Sequence, residues 1–278
     1  MKAGVVSRTD YRSALKVARD AIGCLSSRGV EIVIETDTAL ALDMREETDN
    51  LHDLEADFLV TIGGDGTTLR AAMELKEPDT PLLGINMGRR GFLTEIYKDE
   101  FEWAFERILE GDYSIQDCLK LRSKIVGSDD VFPDSLNEVL VASSLPSKMI
   151  LFRISVDGYK ITEIQADGCI VSTPTGSTAY NLSAGGSIIA PGVESIMVTA
   201  ICPYSYFRSI ALPPDSEVEI ELLKPGAEAM TIVDGRSYNA VKPLSTVKVW
   251  ASPNRTRFIR FDSFYSRLER RLTFLQSQ

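Results

Sequence analysis

No Gly-x-x-x-x-Gly-Lys-[Ser/Thr] segment occurs in this sequence, which excludes a P-loop nucleotide site. The dinucleotide fingerprint Gly-x-Gly-x-x-Gly fails as well, because Gly64-Asp65-Gly66-Thr67-Thr68 is followed by Leu69 where the third glycine belongs. Cysteine is scarce and scattered. Cys24, Cys118, Cys169 and Cys202 form no Cys-x-x-Cys pair, so neither a zinc site nor a disulfide framework is expected, and a reducing cytoplasm fits best. The single histidine, His52, stands in the polar stretch from Asp43 to Asp57 and reads as a solvated loop residue without a catalytic role. No apolar run reaches the length of a membrane span. Met1 to Arg8 enters a strand-like segment with no signal-peptide core, so neither a membrane partner nor a secretion leader is expected. Positive charge is also in short supply. Thirty Lys and Arg against 40 Asp and Glu give a net charge of −10, which argues against nucleic-acid partners and requires any anionic substrate to meet local positive charge.

What is present is an ordinary globular composition, 44% apolar and 25% charged, over 278 residues, enough for two domains with an ample core. Strand-like Ala3–Ser7 leads to a helix opening near Asp10, with Ala14, Ala18, Ala21, Ile22 and Leu25 on one face and Gly29 as its stop. A strand over Glu31–Thr36, an acidic connection, a strand at Phe58, a helix and a strand over Pro81–Asn86 follow. A further helix from Asp99 to Glu110 has Asp99 as its expected cap, Gly111 as its stop, and Phe101, Phe105, Ile108 and Leu109 on its core face. Strands alternating with helices imply parallel crossovers, so this part is expected to be an α/β domain with a parallel sheet. Beyond Gly111 strand-like segments recur with turn signals between them, Asp157-Gly158 being a strong hairpin turn. A mostly β C-terminal domain is therefore expected. The boundaries read as 1–115 for the α/β domain, 116–256 for the β-rich domain, and 257–278 for a strand-and-helix tail returning to the first domain. The tail carries Arg267, Arg270 and Arg271 on a face expected to be solvated.

The chain is organised around Gly63-Gly64-Asp65-Gly66-Thr67, a turn between the apolar run Asp57–Ile62 and a helix-like run in which Leu69, Ala72, Met73 and Lys76 share a face. Glycines there allow φ > 0 and close approach to the backbone, while a helix N-terminus supplies N–H groups and the positive end of its dipole, which together suit a phosphate. Asp65 would repel that phosphate unless it handles a proton or a metal ion. The alternative is that Asp65 is simply the N-cap of the helix. A second loop, Asn86-Met87-Gly88-Arg89-Arg90-Gly91-Phe92, carries two arginines that suit either a phosphate or solvent. In the second domain the stretch from Asp167 to Gly186 (Thr173-Pro174-Thr175-Gly176-Ser177-Thr178-Ala179-Tyr180-Asn181 at its centre) is rich in hydroxyls and glycines. It offers hydrogen bonds at close range, with Tyr180 available to stack on a flat ring.

Taken in order, the Gly-Gly-Asp-Gly-Thr turn, Asn137-Glu138 and the Thr173–Gly186 stretch resemble the NAD kinases, over about residues 57 to 262. The glycine turn alone is shared with diacylglycerol and sphingosine kinases and, more distantly, with phosphofructokinases, and the long hydroxyl-rich run decides among them. The resemblance implies transfer of the terminal phosphoryl group of ATP, or polyphosphate, with a divalent metal such as Mg2+, to the 2′-hydroxyl of the adenosine ribose of NAD. It implies Asp65 as general base beside Gly66, phosphate binding at Gly63, Gly64, Gly66 and Thr67, and NAD contacts at Arg70, Asn137, Glu138, Lys148, Gln165 and Asp167. Thr178, Ala179, Tyr180, Asn181, Leu182 and Ser183 would surround adenine and ribose. Asp234-Gly235-Arg236 resembles a late Asp-Gly pair of the family. A homodimer or homotetramer with sites completed across subunits is implied too. The rival readings are a lipid kinase, which needs an apolar acceptor cleft, and a dinucleotide sensor that binds NAD without turning it over.

Overall fold

The computed structural model describes residues 1–44, 48–88, 91–128 and 132–269. It divides into two compact units: residues 1–117 with 256–278, and residues 118–255. Arg89, Arg90, Arg270 and Arg271 lie outside the described residues.

The first unit holds a parallel sheet of β1 (Lys2–Ser7), β2 (Glu31–Glu35), β3 (Thr48–Asp49), β4 (Phe58–Gly63), β5 (Leu82–Asn86) and the short β6 (Ile96–Tyr97). Its order is β3-β2-β1-β4-β5, with β6 also on β5, and Gly63 lies opposite Asn86 at the carboxyl ends of β4 and β5. Both central strands are buried along their whole length, as a sheet covered on both faces requires. One face is covered by α1 (Arg12–Ser27), α2 (Thr36–Leu42) and α4 (Phe101–Glu110). The α1 stripe expected from its spacing, Ala14, Ala18, Ala21, Ile22 and Leu25, is the buried one.

The helix between β4 and β5 is α3 (Asp65–Glu74), on the opposite face, where the Thr61 and Thr68 hydroxyls meet at 2.8 Å. Its buried residues are Thr68, Leu69, Ala71 and Ala72, so the stripe is turned from the expected one and ends before Lys76. Two expectations about helix starts and one about a core face change. Helix α1 starts after Tyr11, while Asp10 pairs instead with Arg8 at 2.6 Å. Helix α4 is preceded by Glu100 rather than Asp99, and the Glu100 carboxylate accepts the Tyr97 N–H at 2.7 Å. On α4, Leu109 is exposed while Ala104 joins Phe105 and Ile108 in the core, because Leu109 falls about 100° round the helix from Ile108. Gly111 does end α4, in the left-handed conformation at φ 74°.

The second unit is a sandwich of two antiparallel sheets. Strands β7 (Ser114–Ile125) and β17 (Thr246–Arg260) carry the chain between the units; those wholly inside the second are β8 (Glu138–Ser143), β9 (Ile150–Val156), β10 (Tyr159–Ala166), β11 (Gly168–Ser172), β12 (Ile196–Ile201), β13 (Ser209–Leu212), β14 (Val218–Leu222), β15 (Ala229–Val233) and β16 (Ser237–Val241). One sheet runs β13-β12-β11-β8-β15-β16; in the other, β10-β9-β14 continues onto residues 246–249 of β17. The core between them takes alternate residues from each, such as Val139 and Val141 against Phe152, Ile154 and Ile220. Asp157 and Gly158, at φ 50° and 80°, make the expected tight hairpin between β9 and β10.

Candidate functional site

In the first unit the glycine turn occupies the carboxyl end of β4 and the start of α3, where ligands bind in open α/β sheets. Gly64 is the N-cap and makes no side-chain cap, so Asp65 is not capping its own helix. The Asp65 carboxylate instead reaches across to the segment after β5. Oδ2 accepts the Phe92 N–H at 2.6 Å, and Oδ1 accepts those of Leu93 at 3.0 Å and Thr94 at 3.4 Å. Gly91 makes this approach possible, since a Cβ there would lie 2.0 Å from Thr94 Oγ1 and 3.2 Å from Asp65 Oδ1. Oδ2 takes a single hydrogen bond among the described residues, which leaves it an acceptor position on a carboxylate that has about four.

None of the three turn glycines has a positive φ, which corrects the expectation that they supply left-handed backbone. Gly64, at φ −118° and ψ −169°, is in extended backbone open to any residue. Gly63 is small because Thr67 packs on it, a Cβ there falling 2.3 Å from Thr67 Oγ1. Among the described residues, Gly64 and Gly66 have nothing within 4 Å of where a Cβ would be. Without side chains they allow close approach to the start of a helix, which suits a phosphate.

Arg70, one turn further on, donates to Glu35 Oε1 at 2.5 Å and lies 3.6 Å from Glu74. Burial alone would lower its pKa, but the hydrogen bond and charge of Glu35 outweigh that and raise it. Nothing in the residue pattern pointed to Glu35, whose other oxygen is held by Thr38 at 2.6 Å.

In the second unit, Asn137 and Glu138 sit at the start of β8. Asp234 organises them: its Oδ2 accepts the Leu136 N–H at 2.7 Å, and its Oδ1 accepts those of Asn137 at 2.9 Å and Glu138 at 2.8 Å. Asp234 and Gly235 are both left-handed, at φ 48° and 65°. Burial pushes the Asp234 carboxyl up to about 6, although the three amides and the charge of Lys120 pull the other way. Burial, and then the charge of Asp234, push Glu138 up to about 8. Lys120, itself buried, is lowered by desolvation against the opposing pull of Asp134 and Asp234. Glu138 Oε2 is buried and makes no hydrogen bond among the described residues.

The hydroxyl-rich stretch folds against the same place. Thr173 N–H donates to the Asn137 carbonyl at 2.9 Å and Thr173 Oγ1 to that of Leu136 at 2.6 Å. Many of its polar groups are spent internally, whereas the residue pattern alone suggests that they are offered to a ligand. Ser177 Oγ donates to the Pro174 carbonyl at 2.6 Å. Asn181, fully buried, donates to the Ser177 and Ser187 carbonyls at 3.1 Å each and accepts the Thr199 hydroxyl at 2.6 Å. Asn181 therefore shapes the loop, while Thr178, Ala179, Leu182, Tyr180 and Ser183 present its accessible side.

Lys148, Gln165 and Asp167 are exposed but stand elsewhere. Ser172 lies opposite Glu138, whereas the Asp167 carbonyl accepts the N–H of Ser143, five residues along β8. At about 3.4 Å per residue, the two ends of that strand pair are about 17 Å apart. The structure brings Asn137, Glu138 and residues 173–183 together and sets Asp167 and Gln165 at the other end. The support given to Asp65 by residues 92–94 was hidden from sequence reasoning, because backbone amides carry no residue identity. Gly91 is its one readable trace.

Among the described residues no group of three His, Cys, Asp or Glu could hold a metal ion, and no helix is long and apolar enough to cross a membrane.

A family model described as the ATP-NAD kinase N-terminal domain matches residues 4–113, and one described as the ATP-NAD kinase C-terminal domain matches residues 136–261. An NAD kinase of Methanopyrus kandleri is 42% identical over 265 residues, covering 94% of this chain and 93% of that protein. The crystal structure of an NAD kinase from Archaeoglobus fulgidus in complex with ATP matches with a TM-score of 0.80 at 27% identity, over 98% of this chain and 99% of that one. Yeast NADH kinase complexed with NADH shares the fold, with a TM-score of 0.90 at 24% identity over 100% of this chain and 87% of that one.

Proposed function

The chain belongs to the NAD kinase family, and from that premise we propose that it moves the terminal phosphoryl group of ATP onto the 2′-hydroxyl of the adenosine ribose of NAD, giving NADP and ADP. The observation that carries the mechanism is the Asp65 carboxylate. Three amides hold it at the first turn of α3, beside two glycines whose lack of side chains allows close approach. In this reading the ribose oxygen attacks the terminal phosphorus while Asp65 Oδ2 takes its proton. The bond from that phosphorus to the bridging oxygen breaks, and the leaving charge goes to ADP. A ribose hydroxyl is a poor nucleophile at neutral pH, so a carboxylate in hydrogen-bond reach is the help the reaction needs. Gly63, Gly64, Gly66 and Thr67 would bind the donor phosphates, and inorganic polyphosphate could take the place of ATP there.

A magnesium ion fits this arrangement only as a passenger of the donor, because such ions bind through one or two carboxylates plus substrate phosphates. When bound it would neutralise charge on the phosphates. Asn137, Glu138 and the accessible side of residues 178–183 would hold adenine and ribose, with Tyr180 stacking on a ring. Arg70 would reach NAD through the guanidinium N–H groups that Glu35 does not hold. The distance separating Gln165 and Asp167 from Asn137 favours a homodimer or homotetramer in which they and Lys148 serve the site of a second copy. We place the reaction in the cytoplasm, where both substrates are at hand.

The test is incubation of the protein with NAD, magnesium and ATP or polyphosphate, followed by a coupled assay specific for NADP, with diacylglycerol as a competing acceptor. NADP formation is the expected result. Its absence with every donor, or transfer to the lipid instead, overturns the assignment.

A further inference from the structure

Strand β17 ends at Arg260, which is only 5% exposed although it carries a permanent charge. Its guanidinium donates through Nη1 to Glu95 Oε2 at 2.9 Å and to the Leu93 carbonyl at 3.0 Å, and through Nε to Gln116 Oε1 at 2.9 Å. A second guanidinium, that of Arg267, lies 3.3 Å from the same Glu95 oxygen and donates to Gln116 Oε1 at 3.2 Å. The other Glu95 oxygen accepts the N–H groups of Phe261 at 2.8 Å and Asp262 at 3.1 Å. The ring of Phe258 lies 4.6 Å from the Arg260 guanidinium.

Two arginines and one carboxylate under the surface are a weak device for stability. Desolvating such groups is costly, and apolar replacements are often neutral or stabilising. The cluster has a second connection that apolar residues could not make. Leu93, whose carbonyl Arg260 holds, is the residue whose N–H donates to Asp65 Oδ1 at 3.0 Å. Glu95, two residues on, donates its N–H to the Gly84 carbonyl of β5 at 2.8 Å. Gly84 is a glycine because a Cβ there would lie 2.8 Å from Thr94 Cα. The Phe92–Glu95 run is thus pinned to β5 at one point and to Arg260 at another, and its three amides fix the carboxylate between them.

We propose that Arg260 is a positioning residue for phosphoryl transfer, acting through the Leu93 carbonyl and Glu95 on the amides that aim Asp65. This rests on the reading of Asp65 as the base. Arg260 touches no substrate in this scheme. Its removal is therefore expected to lower kcat and leave the KM for NAD alone, since small misplacement of a reacting group costs rate rather than binding.

The experiment is a double-mutant cycle on the full chain, reading kcat, KM and thermal midpoint for Arg260→Gln, Asp65→Asn and the pair. Arg260→Gln is expected to lower kcat about tenfold with KM for NAD within about twofold, and to change kcat less than about twofold further in the Asp65→Asn background. Arg260→Lys, which keeps the charge but cannot fork onto Leu93, Glu95 and Gln116 together, is expected to fall between, and it serves as the test if Arg260→Gln does not fold. Arg267→Gln removes a partner of Glu95 without touching Leu93, so it should lower the thermal midpoint while keeping kcat within about twofold. Additive losses in the pair, an unchanged kcat in folded Arg260→Gln, or an equal loss in Arg267→Gln would overturn the proposal. Near-normal turnover of Asp65→Asn alone would remove the base itself, a separate failure that the cycle reports on its own.

Discussion

Gly176 lies so close to Asn137 that a Cβ on it would come within 2.0 Å of the Asn137 carbonyl oxygen and 2.4 Å of its carbon. The obstacle is backbone, and that backbone cannot easily yield, since Asp234 holds the Asn137 N–H at 2.9 Å and Thr173 donates to its carbonyl. Gly176→Ala is expected to cost about 1–3 kcal/mol in chemical denaturation, the usual range for overpacking, and to raise the KM for NAD more than it lowers kcat. Full stability with an unchanged KM would mean that the two segments are not coupled.

The neighbouring glycines of the first unit separate stability from binding. Gly63→Ala meets Thr67 Oγ1 at 2.3 Å and is expected to lower the thermal midpoint. Gly64→Ala meets nothing within 4 Å among the described residues and keeps an ordinary extended backbone, so the midpoint should hold while the KM for ATP rises about tenfold or more. If Gly64→Ala left ATP kinetics untouched, the backbone there would not be the phosphate site.

Asp65→Asn keeps the size of the side chain and one of its two acceptor oxygens while removing the basic carboxylate. NAD binding, read by calorimetry, should stay within a few-fold, and turnover should fall about a hundredfold or more.

The raised pKa of Glu138, about 8 against an ordinary 4.5, makes a prediction whose sign is fixed. Across that window the folded chain binds a proton that the unfolded chain has lost, so stability falls as pH rises from about 4.5 to about 8 and is level above. Asp234, pushed to about 6, acts in the same direction in the lower part of the window. Glu138→Gln, neutral throughout, should match the parent in thermal midpoint near pH 4.5 and exceed it above pH 8. A parent that loses nothing on going to high pH would show that Glu138 is ionised in the fold.

Much of the architecture was legible because periodicity is a local property. The five apolar positions of α1 predicted its buried face, and the alternation of strands with helices predicted a parallel sheet, because both follow from which residues must meet a core. Helix α2 was missed inside an acidic connection, since its seven residues are too few to set a period. Strand β16 was missed because only Val241 of Ser237–Val241 is buried, so it shows no apolar face. At the candidate site, the glycines and Asp65 could be picked out from the chain alone. Their reasons could not: Gly63 is explained by Thr67, Gly91 by Thr94, and the placing of Asp65 by amides 27 to 29 residues away. Asn181 shows the converse, a residue in a motif whose side chain turns inward to Thr199.

Arg260 belongs to the same compact unit as Glu95, yet the whole of residues 118–255 is translated between them. At about 5–20 residues per second, a ribosome leaves the nascent Glu95 without that partner for roughly 10–30 s. The surroundings of Asp65 are therefore finished only after the second unit has been synthesised, so a chain stalled partway through translation carries the glycine turn without the arginine that steadies it.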